Sequence, residues 1–304
     1  MQPAGPRTGG GVEGDRTLDL RIANATLSQL SYHPVGSRGF YSTTAPPLSS
    51  GMATSPTQLQ INPPFGFKEV VPLLKTHRVR LPRPGEVPEF ARALNAIPVS
   101  YAEFAPAARD YPLVFTSNDG GKSFAPVAVL GMSTGENLFC QGDAWTRGTY
   151  LPAYARRYPF CMARVTVDAA EQQNRLICVE KAFVDEAQGE ALFDDKGEPA
   201  GKWKDLQRLL TEYEADLERS RELCAILADY GLLEPFSLQA TLAQGGQQLQ
   251  LTGMHRVDEK KIEHLNVSQF KNLAKKGILG RIYVHLLSLE NFSRLLERRA
   301  ARAA

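Results

Sequence analysis

The chain has 304 residues, 43% of them hydrophobic and 22% charged, a balance that suits a globular protein able to bury a sizeable core. Its formal net charge of +2 leaves no electrostatic footprint for nucleic acid, and no run of about 18 apolar residues announces a transmembrane helix. Four arginines and three acidic residues precede Met52, so the remainder lies within one charge of neutral.

Residues 1–60 are rich in Gly, Pro, Ser and Thr and show no sustained helical or alternating apolar period. That composition predicts a disordered or spurious N-terminal extension. The run from Gly11 to Pro34 resembles a conceptual translation of the strand opposite a tRNA gene. Gly14-Asp15-Arg16-Thr17 fits the complement of a TψC arm, and Leu27-Ser28-Gln29-Leu30-Ser31-Tyr32 fits that of a D arm. The resemblance implies translation from Met52 rather than Met1. The N-terminus also lacks the compact apolar region of a secretory signal, which favours a cytoplasmic location.

From Phe65 onward, short β-type runs alternate with turns. Phe67–Leu74 and His77–Leu81 are β-prone, and Pro82-Arg83-Pro84-Gly85 breaks the chain after them. Tyr101–Arg109 reads as a short helix capped by Ser100. Tyr111–Ser117 and Ser123–Met132 flank Asn118-Asp119-Gly120-Gly121, whose residues tolerate the positive φ of a tight turn and so predict a hairpin. Leu138–Cys140 adds a short strand, and Leu151–Tyr158 a short helix opened by Pro152. Phe160–Val167 and Arg175–Phe183 form a second strand pair. The spacing of Leu206, Leu210, Tyr213, Leu217, Cys224 and Leu227 predicts a long helix over about Trp203–Tyr230, stopped by Gly231. Phe236–Leu242 and Gln247–Met254 surround Gly245-Gly246 as another hairpin. Helices over Val267–Lys275, closed by Gly277, and Arg281–Arg299 complete the chain. Strands in two blocks around a long helix predict an α+β fold with mainly antiparallel sheets, a helical C-terminal region and one domain over residues 65–299.

Chemistry is harder to find. Cys140, Cys161, Cys178 and Cys224 lie far apart without a CxxC pair and read as buried small hydrophobes. His255, Asp258, Glu259, His264 and His285 do not match the spacing of a helical zinc site, and Asp258 reads as a helix cap; no metal and no cofactor are expected. Neither a hydrolase elbow nor a phosphate-cradling loop is expected. The basic tail Arg294, Arg298, Arg299 and Arg302 reads as a solvated helix end. The densest cluster of polar and aromatic side chains spans 131–160. Within it Glu136, Asn137, Trp145, Tyr154, Arg156, Arg157 and Tyr158 are the candidate binding residues. Planar arginines beside aromatic rings suit a small anionic or peptide-like ligand, or another protein. The competing reading is a long connection folded back on the sheet and tied down by arginine pairs.

Several segments resemble the SapC family. They include the runs Tyr111–Thr116, Phe124–Gly131, Gly135–Phe139, Tyr150–Phe160, Gly253–Lys261 and Ile282–Leu289, in consistent order over about residues 65–298. The resemblance implies a bacterial protein, associated with a paracrystalline surface layer or with uptake and accessory machinery, and it implies no catalytic residues. A cell-surface location enters through this resemblance alone. The alternative is a cytoplasmic enzyme or substrate-binding accessory protein acting through the 136–160 region.

Overall fold

The computed structural model describes residues 18–19, 59–167, 170–241 and 248–303. The fold is α+β, with antiparallel sheets, one long helix and a helical C-terminal region. The apart-standing strand is β1 (Leu18–Asp19), which pairs in parallel with β14 (Gln248–Val257). The rest of the stretch before Leu59, including the tRNA-like run apart from those two residues, lies outside the described residues.

The larger sheet runs β13–β14–β6–β7–β5, where β13 is Leu233–Thr241, β6 Leu113–Thr116, β7 Ala125–Val129 and β5 Ala96–Pro98. The hairpin expected at 118–121 joins β6 to β7, with Leu113 opposite Ala128 and Thr116 opposite Ala125. Gly120 and Gly121 supply the positive φ at the turn, at 73° and 89°. All of β6 and all but the first residue of β7 are buried, so the sheet is covered on both faces at these two strands, whereas β14 alternates buried with more exposed positions. The second hairpin joins β13 to β14, and its Gly245-Gly246 turn falls outside the described residues.

A smaller sheet runs β2–β10–β11–β3, all antiparallel, through Leu59–Ile61, Phe160–Val167, Ala170–Glu180 and Val70–Pro72. Two-stranded pairs are formed by β4 (Arg78–Val79) with β12 (Glu190–Ala191) and by β8 (Cys140–Gln141) with β9 (Ala144–Trp145). β11 starts at Ala170, earlier than the apolar run beginning at Arg175, because pairing with β10 carries polar residues into the ladder.

The long helix, Trp203–Asp229, joins the two halves, and is labelled α3 after the short α1 (Phe104–Ala107) and α2 (Ala153–Arg156). Its apolar stripe is core, as its spacing predicts. Trp203, Leu206 and Leu210 pack with Phe160, Val179 and Val79 under the smaller sheet. Tyr213, Leu217, Leu223, Cys224 and Leu227 pack with the main core beneath the larger one.

The C-terminal region differs in one respect from the expected pair of helices. After α4 (Glu259–Ile262), which Asp258 caps by accepting from the Lys260 N–H at 3.1 Å, come α5 (Val267–Lys275), α6 (Ile278–Ser288) and α7 (Asn291–Ala303). The single helix expected over Arg281–Arg299 is broken at Leu289-Glu290. The buried Asn291 side chain donates to the carbonyls of Ala108 (2.7 Å) and Tyr111 (3.2 Å), which fixes a new helix start there. Among the described residues no helix is long and apolar enough to cross a membrane.

Between α5 and α6, Gly277 adopts φ +69°, and a Cβ there would stand 2.9 Å from the Tyr101 hydroxyl. Gly277→Ala is expected to lower stability by about 1–2 kcal/mol, the usual cost of a left-handed non-glycine residue, read from the urea denaturation midpoint.

Candidate functional site

The 131–160 segment begins where β7 ends. Gly131 has no side chain, and a Cβ there would lie 2.1 Å from the Glu136 carbonyl oxygen. The missing atom lets residues 131–136 fold into a tight turn. The Glu136 carboxylate closes it by accepting the Met132 N–H at 2.7 Å. Asn137, 3% exposed, donates to the Ala91 carbonyl at 2.7 Å and accepts the Phe139 N–H at 2.9 Å.

The C-terminal arginines complete this end, and here the reading of a solvated tail is corrected. Arg299 donates to the Ser133 hydroxyl and stands 3.4 Å from Glu136. Arg302 donates to the carbonyls of Asn137 (2.8 Å) and Cys140 (2.5 Å), and the Arg298 guanidinium lies 4.4 Å over the Phe139 ring. Helix α7 thus clamps the segment through forked, charge-assisted donors.

Gly131-Met132-Ser133-Thr134-Gly135 does carry the G-x-S-x-G spacing, contrary to the expectation of no hydrolase elbow. Its setting is wrong for one. An elbow needs a strand-to-helix turn that exposes its serine to a histidine. Here the segment runs on to β8, and Ser133 faces Arg299. A G-x-G-x-x-G spacing at Gly9, Gly11 and Gly14 lies outside the described residues.

Next along the chain, β8 and β9 place Trp145 inside the core, 6% exposed. Its indole N–H donates to the Tyr111 hydroxyl (3.0 Å) and the Tyr150 carbonyl (3.1 Å), and the Tyr111 hydroxyl also donates to that carbonyl. Burial pushes the Tyr111 phenol above its ordinary range. The Tyr150 hydroxyl donates to the buried Glu103 carboxylate at 3.0 Å, and Arg156 donates to that hydroxyl, also at 3.0 Å. Glu103 further accepts the N–H groups of Ala153 (2.6 Å) and Ser100 (2.8 Å). Arg156 therefore sits exposed at the rim of an internal network.

The third group lies between the two sheets. Tyr154, 1% exposed, donates to the Phe65 carbonyl at 2.7 Å. Arg157 is 4% exposed, with its guanidinium 4.4 Å from the Tyr154 ring centre and 5.0 Å from that of Tyr213 on α3. Its Nη1 stands 3.8 Å from Glu214, whose other oxygen accepts from Arg175. Tyr158 packs its half-buried ring on Phe67 (5.1 Å) and Phe183 (5.0 Å), and burial pushes its phenol up to about 12. Two buried polar atoms, Arg157 Nε and Tyr213 Oη, have no protein hydrogen-bond partner.

The structure therefore gathers Tyr154, Arg157 and Tyr158, reaches Trp145 and Arg156 through Tyr150, and places Glu136 and Asn137 with α7. Sequence reading missed Glu214, Glu103 and Tyr111 as partners. Glu214 was open to detection: it sits four residues after Leu210 and three before Leu217, on the stripe that faces inward. The cysteines are all free and buried, and the antiparallel register sets Cys161 directly opposite Cys178. Burial pushes both thiols up to about 12, which makes them inert as thiolates near neutrality. Of the histidines weighed for metal, His264 turns Nδ1 to the Lys260 carbonyl and His285 is in the core; among the described residues no group of three His, Cys, Asp or Glu side chains could hold a metal ion.

No curated protein and no solved structure matches the chain. A family model does match it, over residues 75–295, which takes in β4 to β14, α3 and the C-terminal region as far as the start of α7. The match covers the whole 131–160 segment and stops within α7, before Arg298, Arg299 and Arg302; it spans most of the chain, and on that ground the chain belongs to the SapC family.

Proposed function

We propose that the protein is a non-enzymatic accessory component of a bacterial surface layer or uptake system. The observation that carries this reading is the internal use of the polar-aromatic segment. Glu136, Asn137, Trp145 and Tyr154 direct their polar atoms to the protein's own backbone and side chains, and Arg157 turns Nη1 toward Glu214. Such a segment is held in place by the fold rather than presented as a set of groups poised for reaction. The association with the surface layer comes from the family resemblance. Cell fractionation tests it: the protein is expected in the envelope fraction, and its exclusive recovery in the cytoplasmic fraction would overturn the assignment.

A second reading has one observation in its favour. The orphaned Arg157 Nε and Tyr213 Oη supply a donor and an amphoteric hydroxyl inside a cationic, aromatic-walled junction. A small carboxylate or phosphate matches that chemistry. Thermal melts against a panel of such anions would show a stabilising shift for at least one of them; no shift with any member counts against ligand capture.

A further inference from the structure

Helices α5 and α6 are consecutive and packed on each other. Among the described residues they carry four of the six exposed large apolar side chains: Val267 (85% exposed), Phe270, Tyr283 and Leu287 (68%). Helical spacing explains how. α5 turns Leu273 inward and leaves Val267, Phe270, Lys271 and Ala274 outside at i, i+3, i+4 and i+7. α6 turns Ile278, Ile282, His285 and Ser288 inward and leaves Gly280, Tyr283 and Leu287 outside.

The charge pattern is one-sided. No carboxylate occurs from His264 to Leu289, whereas Lys271, Lys275, Lys276 and Arg281 all do, in a chain that is otherwise close to neutral. Lys276 pairs with Glu222, and Arg281 stacks 4.3 Å over Tyr101, at the turn between the helices. Lys271 and Lys275 are exposed beside the apolar side chains. The nearest acids in sequence, Glu263 and Glu290, lie outside the run at its two ends.

The geometry points to this face as a docking surface for an anionic lipid bilayer. The apolar side chains would enter the headgroup boundary, Tyr283 would keep its hydroxyl at the wet edge, and the lysines would reach lipid phosphates on flexible stems. A protein partner is the poorer fit, because lysine is depleted in protein interfaces, whereas Lys271 and Lys275 flanking Val267 and Phe270 on α5, with Tyr283 and Leu287 exposed on the neighbouring α6, suit a membrane surface.

The test uses the purified full chain and sedimentation with vesicles of phosphatidylcholine, alone or with about one-third phosphatidylglycerol. The protein is expected to pellet with the anionic vesicles and to be released by salt. Each lysine near such a surface changes partitioning roughly fivefold, so Lys271→Glu with Lys275→Glu should lower it at least ~25-fold. Phe270→Ser with Leu287→Ser should lower it at least ~tenfold. All four positions are exposed, and unchanged far-ultraviolet circular dichroism confirms that the variants fold. A wild-type chain that ignores anionic vesicles, or binding that both double variants leave intact, overturns the proposal. So does a dimer dissolved by the serine variants without vesicle binding, which would give the face to a second copy.

Discussion

Glu214→Ala is expected to destabilise the fold by about 3–5 kcal/mol, because it leaves the Arg157 guanidinium charged and without its carboxylate in the interior. Arg157 is 4% exposed and Glu214 10%, so water replaces little of what is lost. The rings of Tyr154 and Tyr213 hold the cation from two sides, but a ring quadrupole supplies only a fraction of a carboxylate's attraction. Arg175 loses a partner in the same substitution. The position matters because it ties α3 to the start of β10 and the helix before it, where the two cores meet. Replacing both members with apolar side chains of similar size, Arg157→Met with Glu214→Leu, should recover most of the loss, since no buried charge then remains. Urea denaturation of the three proteins checks this. A loss below ~1 kcal/mol for Glu214→Ala would mean that the pair is solvated and that the junction is not held by charge.

Those elements whose cause is local were legible in the sequence. The hairpin at Asn118–Gly121 needs positive φ, and only its own residues supply it. α3 announces itself because a stripe of apolar residues at helical spacing has to be buried along its length. The elements set from far away were not. β5 is three residues ending in Pro98, too short to stand out, and it exists because β7 offers an edge that a proline can join. The break before α7 depends on Asn291 reaching carbonyls of residues 108 and 111. The arginine tail read as solvated because its partners, Ser133, Glu136, Asn137 and Cys140, lie more than 160 residues earlier. The candidate cluster shows both sides of this. Residue types marked 131–160 as a segment that had to be held, while its division between α7, the Tyr111–Trp145 core and the Arg157 junction is a product of tertiary packing.

His285 is expected to make stability fall by about 3 kcal/mol as pH drops from about 6.5 to about 4. Its ring lies in the core against Phe115, 5.0 Å between centres, and bridges two strands. Nε2 lies 3.1 Å from the Val257 N–H, which can only donate, so Nε2 must accept; Nδ1 then carries the proton and donates to the Leu113 carbonyl at 2.8 Å. Protonation would turn Nε2 into a donor facing a donor. Burial is the main cause that holds the folded pKa down to about 4, from an unfolded value of 6.5. Between those limits the unfolded chain binds a proton that the folded chain does not, so stability declines as pH falls, by roughly 1.4 kcal/mol per unit. His255 is also lowered by burial and adds to the decline in the same direction. For Asp119, burial is outweighed by hydrogen bonds from Ser123, Ser117 and Lys122 that hold it down to about 2, so it acts only below its ordinary 3.8. Asp216, pushed up by burial, works the opposite way and blunts the acid end of the curve. His285→Gln keeps one acceptor and one donor in place and removes the titration. Urea midpoints at several pH values between 7 and 4.5 should therefore slope steeply for the wild type and much less for the glutamine variant. Equal slopes in the two proteins would show that the ring titrates in the fold as it does in the unfolded chain, and that the strand bridge does not depend on a neutral ring accepting the Val257 N–H.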